Sequence, residues 1–142
     1  MKNYTFWMKS AIVFSLLTAG AHTMSFFATP VPKNETERQL LNLLTTYEND
    51  LGAGFTPTTQ EITTALSACF TLICFLSGLT FIFLLRKRAP LAIVKGLSGI
   101  HAFIFGICFL VMLVFTFLPP ILLTGLIFVS FTLAYLRTLK AE

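Results

Sequence analysis

The fold is decided by Gly96–Leu136, GLSGIHAFIFGICFLVMLVFTFLPPILLTGLIFVSFTLAYL, 41 residues without Asp, Glu, Lys or Arg. As one helix it would reach about 60 Å at ~1.5 Å per residue, twice the ~30 Å hydrocarbon core of a bilayer. It must fold back. Pro119-Pro120 lies near its middle, and proline disfavours continuing the helix that precedes it. The stretch therefore reads as the last two of several crossings. Ser10–Val31 and Ile62–Leu85 are two further runs without charge.

The whole 142-residue chain agrees. It is 56% hydrophobic and 11% charged, with sixteen Phe. A soluble domain carries about 25% charged residues. This chain has too little polar surface for a soluble globule and too much apolar residue for disorder. The expected fold is all-α, a single integral membrane domain over 1–142. It is a four-transmembrane-helix bundle with helices at about 7–28, 62–86, 90–117 and 120–137. The outer loop 29–61 carries a short amphipathic helix.

At the N-terminus a cleaved signal peptide competes with a retained helix. Lys2 and Lys9 would flank the apolar core Ala11–Thr18, and Ala19-Gly20-Ala21 would be the cleavage site. The apolar character runs on through Met24, Phe26 and Phe27, which favours retention of residues 1–21.

Orientation follows from the basic residues. Lys2, Lys9, Arg86, Lys87, Arg88, Lys95, Arg137 and Lys140 fall on one face of a four-span arrangement, against Glu142 alone. The other face has Lys33 and Arg38 against Glu35, Glu37, Glu48, Asp50 and Glu61. Both termini are expected in the cytoplasm, with a bacterial inner membrane as the location. The bilayer is the first partner, and anionic lipids would meet Arg86, Lys87 and Arg88. No basic patch with base-reading elements lies outside the membrane, so nucleic acid is not an expected partner.

In the outer loop, Asn34 followed by Glu37 has the form of a capping box. Leu40, Leu44, Tyr47 and Leu51 recur at helical spacing, which predicts a helix over about 35–49 ended by Gly52 and Gly54. It reads as a surface helix covering the bundle, with a lid or a docking face as the functional alternative. Asn34-Glu35-Thr36 also has the form of a glycosylation acceptor.

No acidic or basic residue lies deep in a predicted span. Proton relays and charge-coupled transport place such groups at membrane depth, so those functions are disfavoured. No GxSxG, phosphate-cradling glycine loop, HExxH or CxxC is present. His22, Cys69, Cys108 and Met112 fall within roughly 7–14 Å of the outer boundary by helix rise. Together they would suit a soft metal ion. The plainer reading is preferred: buried Cys as a small hydrophobe, Met as ordinary filling, and no cofactor. A bis-His haem would need His22 and His101 at one depth, yet they lie about 9 and about 24 Å from that boundary. Three Cys in membrane helices do not make a disulfide framework. His22, an intramembrane ionisable group, stays the residue of interest.

Small and hydroxyl side chains mark packing seams. Ser67, Thr71 and Gly78 lie on one stripe of the second span, with Thr64 and Cys74. Gly99 and Gly106 lie with Ala102 on the third.

The chain resembles a group of small four-helix bacterial inner-membrane proteins, of Bacteroidetes type. Gly20-Ala21-His22, the Pro-rich exit and the acidic-leucine loop helix carry the likeness, which implies topology and a focus on His22. Length and topology are also similar to DoxX-like proteins, whose name implies membrane redox systems. The expected function is a non-enzymatic accessory subunit or a binder of a lipophilic small molecule. Its partner would be another membrane protein or a second copy of the chain. The alternative is a redox or metal-handling protein using His22 with Cys69, Cys108 and Met112.

Overall fold

A computed structural model describes residues 3–28 and 30–140. Lys2 and Glu142, counted in the orientation reading, lie outside the described residues, as do Met1, Ala141 and Thr29, the first residue of the outer loop. Five helices follow one another: α1 (Asn3–Ser25), α2 (Glu35–Thr46), α3 (Thr59–Arg86), α4 (Leu91–Phe115) and α5 (Leu118–Leu139).

The helix ends follow local chemistry. At α2 the Asn34 side chain accepts from the Glu37 N–H at 2.8 Å. Glu37 reaches back one residue further than in a capping box, accepting from the Lys33 N–H at 2.6 Å. At α3 the box is complete, with Thr58 and Glu61 capping each other. The turn from α3 to α4 is a Schellman motif. The Ala89 N–H donates to Leu84 and the Arg88 N–H to Leu85, with Arg88 left-handed at φ 49°.

Two expected boundaries are corrected. Gly52 and Gly54 do not end α2, which stops at Thr46 with Tyr47 as its cap. They form, with Ala53, a run of positive φ that turns the loop back, so that Asn49 pairs with Pro57 at 3.0 Å. The last helix begins at Leu118, two residues before the expected start at Pro120, so Pro119-Pro120 sits inside its first turn. The first N–H groups of a helix have no partner, so proline loses nothing there.

Three helices, α3, α4 and α5, are long and apolar enough to cross a membrane. The expectation of four is not supported by composition. The shortfall is in α1, which holds Lys9, His22 and five Ser or Thr between Ser10 and Ser25. Its packing explains that composition. α1 lies against both α3 and α5, and α5 lies against α4. The α1 stripe Met8, Ala11, Ile12, Ser15, Thr18 and Ala19 is buried. A helix covered by its neighbours needs less apolar surface than one facing hydrocarbon.

Neighbouring helices run antiparallel, as paired depths show. Gly78 of α3 meets Leu16 of α1, whereas Thr71, earlier in α3, meets His22, later in α1. On α4 and α5, Gly99 faces Tyr135, Gly106 faces Phe128, and Phe109 faces Gly125. These glycines are real seams: a Cβ added at Gly106 or Gly125 would stand 3.0 Å from the facing ring. α3 and α4 follow each other through a tight turn, yet they are not among the closely packed pairs. Their link is made by rings. Phe81 of α3 meets His101 of α4 edge-on at 4.9 Å, and both meet Phe131 of α5.

Candidate functional site

α1 ends, α3 begins and α4 connects to α5 at one end of the bundle, the loop end. A cavity of about 410 Å³ opens there among the four helices. Its polar lining is Thr18, His22 and Ser25 from α1, Ser67 from α3, Thr116, and Thr124 from α5. Phe70, Met112, Leu123 and Pro119-Pro120 supply apolar wall, and no charged side chain lines it.

The sequence places these groups by simple rules. Thr18 and His22 are four residues apart on α1, hence on one face. Ser67 and Thr71 share a face of α3 in the same way. The interruption at Thr116-Phe117 lets α5 start with its prolines at the mouth.

His22 is half-buried and held from α3. Its Nδ1 lies 3.2 Å from Thr71 Oγ1. Thr71 gives its single hydroxyl proton to the Ser67 carbonyl at 3.0 Å. That assignment makes Nδ1–H the donor to Thr71 and leaves Nε2 as the free acceptor of the neutral ring. Phe26 and Phe70 stand edge-on to the imidazole at 5.9 and 5.4 Å. The ring is thus fixed in place and tautomer, with one acceptor beside a mainly apolar space. Such a site can orient one hydrogen-bond donor on an apolar body.

The proposed metal set does not assemble. His22 and Met112 line the cavity, but Cys69 is exposed and Cys108 packs against the core instead. Cys69 sits two residues from both Ser67 and Thr71. At 100° per residue that turns it to the opposite face of α3. Among the described residues no three His, Cys, Asp or Glu side chains converge as a metal site would need. Nor does α2 reach the cavity. It rests beside the start of α3, and no α2 residue lines the cavity.

Sequence reading missed Thr124, buried on α5, and underrated His101. Thr124 follows Pro120 by four residues and bonds its carbonyl at 2.7 Å, a local cue that was legible. His101 Nδ1 meets the Leu97 carbonyl at 2.9 Å, among Phe81, Phe105 and Phe131. Phe105 shares its face of α4 by the i+4 spacing, but Phe81 and Phe131 come from α3 and α5, which no spacing within one helix announces.

In comparisons with known proteins the chain matches no protein family, no curated protein and no solved structure.

Proposed function

We propose that this is a small bacterial inner-membrane protein that binds a lipophilic molecule with one hydrogen-bonding end in the cavity beside His22. The observation that carries the reading is the cavity itself. Its volume of about 410 Å³ lies in the range of small-molecule sites, and its lining is largely apolar with a few convergent polar groups. His22 would accept a hydrogen bond through Nε2, and Thr18, Thr124 or Ser67 would set the pose. The body of the ligand would lie along Phe70, Met112 and Leu123.

The same reading takes α1 as a fourth crossing. Its 23 residues reach about 34 Å at ~1.5 Å per residue, enough for the hydrocarbon core. Tyr4 and Trp7 would sit at the cytoplasmic interface, where amphipathic rings concentrate. Both termini would then be cytoplasmic. Arg86, Lys87 and Arg88, all exposed in the α3–α4 turn, would contact anionic headgroups.

A second reading, an accessory subunit, is favoured by α2. Leu40, Leu43 and Tyr47 are exposed there, outside the predicted spans.

The test is purification in mild detergent, with mass spectrometry of the organic extract and metal analysis of the protein. The expected result is a metal-free protein carrying a near-stoichiometric lipophilic compound. That compound should be lost in Ala21→Trp, which fills the cavity, and reduced in His22→Phe. An extract unchanged in both variants would overturn the binding reading. A co-purifying protein with an empty cavity would replace it with the accessory one.

A further inference from the structure

The other intramembrane histidine sits in a different place and calls for a different ligand. Between α3 and α4 lies a crevice of about 100 Å³, with Ser77 and His101 among its lining. Its rim is Ile73, Leu76, Ile100 and Ile104, all exposed. The crevice exists because α3 and α4 are not closely packed along their length.

Two polar groups in it lack partners among the described residues. Ser77 is 2% exposed, and its hydroxyl has no hydrogen bond. On α3, Thr71 donates back to a carbonyl of its own helix, whereas Ser77, like Ser15, Ser98 and Thr132 on the other helices, has no partner among the described residues, and of these four only Ser77 lines the crevice. A buried hydroxyl without a partner costs roughly 1–3 kcal/mol. His101 offers the complement. A carbonyl can only accept, so the contact to Leu97 makes Nδ1 the donor and leaves Nε2 as a lone-pair acceptor in the neutral ring. Nε2 makes no hydrogen bond among the described residues.

We infer that the α3–α4 crevice is a second binding site, taking the terminal hydroxyl of an apolar alcohol or phenol that enters from the bilayer. One hydroxyl satisfies both groups. It donates to His101 Nε2 and accepts from Ser77 Oγ–H. A quinone or ketone carbonyl leaves Nε2 unpaired, because it has no proton to give. A carboxylate or phosphate would bring charge into an apolar crevice with no Lys or Arg in its lining. The isoleucine and leucine rim selects an apolar body. Phe105 forms the wall beside His101, and Phe81 and Phe131 fix the ring from behind. This site is separate from the cavity at His22 and does not depend on a ligand there.

The test uses the full chain in phospholipid nanodiscs with two probes, a photoactivatable long-chain alcohol and its methyl ether. The alcohol is expected to crosslink peptides around Ser77 and His101 about fivefold more than the ether, the weight of one net buried hydrogen bond. That preference should vanish in His101→Phe, whereas Ser77→Ala removes the bond that both probes accept and should lower labelling by alcohol and ether alike, about fivefold. Ser77→Ala removes an unpartnered group and is expected to fold, so it carries the test if His101→Phe does not. Equal labelling by alcohol and ether, a preference that survives His101→Phe, or labelling by both probes unchanged in Ser77→Ala, would overturn the inference. Absence of labelling by either probe would also overturn it, leaving water as the occupant. Loss of the His22-dependent compound leaves this result unchanged, so the two readings fail separately.

Discussion

Many hydroxyls of these helices turn back on their own backbone, while Ser15, Ser77, Ser98 and Thr132 find no partner among the described residues. Thr18 bonds Phe14, Thr23 bonds Ala19 and Thr116 bonds Met112, all at the i−4 carbonyl. In hydrocarbon this satisfies the proton without a neighbour, so a Ser or Thr stripe need not bind across helices. Thr71 is the exception that matters, because it also holds His22. Glycines act differently, by admitting rings. Gly106 receives Phe128 and Gly125 receives Phe109, and the two rings stack at 6.1 Å. Gly106→Val should therefore destabilise the bundle by about 1–3 kcal/mol through overpacking. Gly96 has nothing within 4 Å of an added Cβ. Gly96→Ala should be neutral or raise stability by up to about 1 kcal/mol, the helix-propensity gain. Denaturant unfolding in mixed micelles would check both. A destabilised Gly96→Ala with a tolerated Gly106→Val would contradict the seam.

The element scale shows how local rules set helix ends. Arg88 occupies the left-handed position of a Schellman turn, where glycine is usual and other L-residues cost about 1–2 kcal/mol. Arg88→Gly should raise the unfolding free energy by about 1 kcal/mol. Arg88→Ala removes the same charge without relieving the backbone, and should not. Equal gains in both variants would assign the effect to charge instead. At the start of α3, Thr58→Ala should cost about 1 kcal/mol by leaving the Glu61 N–H uncapped. The cap Asn34 was legible because a cap is a matter of three or four consecutive residues. The site residues His22 and Met112 were legible as candidates, but which face of α3 stands beside them was not. Whether Cys69 or Ser67 faces α1 depends on the rotation of α3, and Leu- and Phe-rich faces leave that rotation open.

At the scale of the whole molecule, the least apolar long helix, α1, lies between two neighbours, α3 and α5. Cysteine labelling tests whether α1 crosses. With Cys69, Cys74 and Cys108 replaced by Ala, Leu51→Cys should react with a membrane-impermeant maleimide from outside. Thr5→Cys should react only after permeabilisation. Both reacting on the same side would place α1 along the surface instead. The sequence by itself determined the membrane class, the helical content, the loop with its amphipathic helix, and the fold-back near Thr116–Pro120. Each of these follows from hydropathy and helix-end chemistry along a short length of chain. Only the tertiary structure decided that α1 lies against both α3 and α5, that His22 and Met112 share a cavity while Cys69 turns away, and that α3 and α4 part around Ser77 and His101. The reason is that hydrocarbon and protein interior are equally apolar. Composition cannot say which side of a helix meets lipid and which meets protein. That choice is made by shape, where glycines admit rings and hydroxyls find carbonyls.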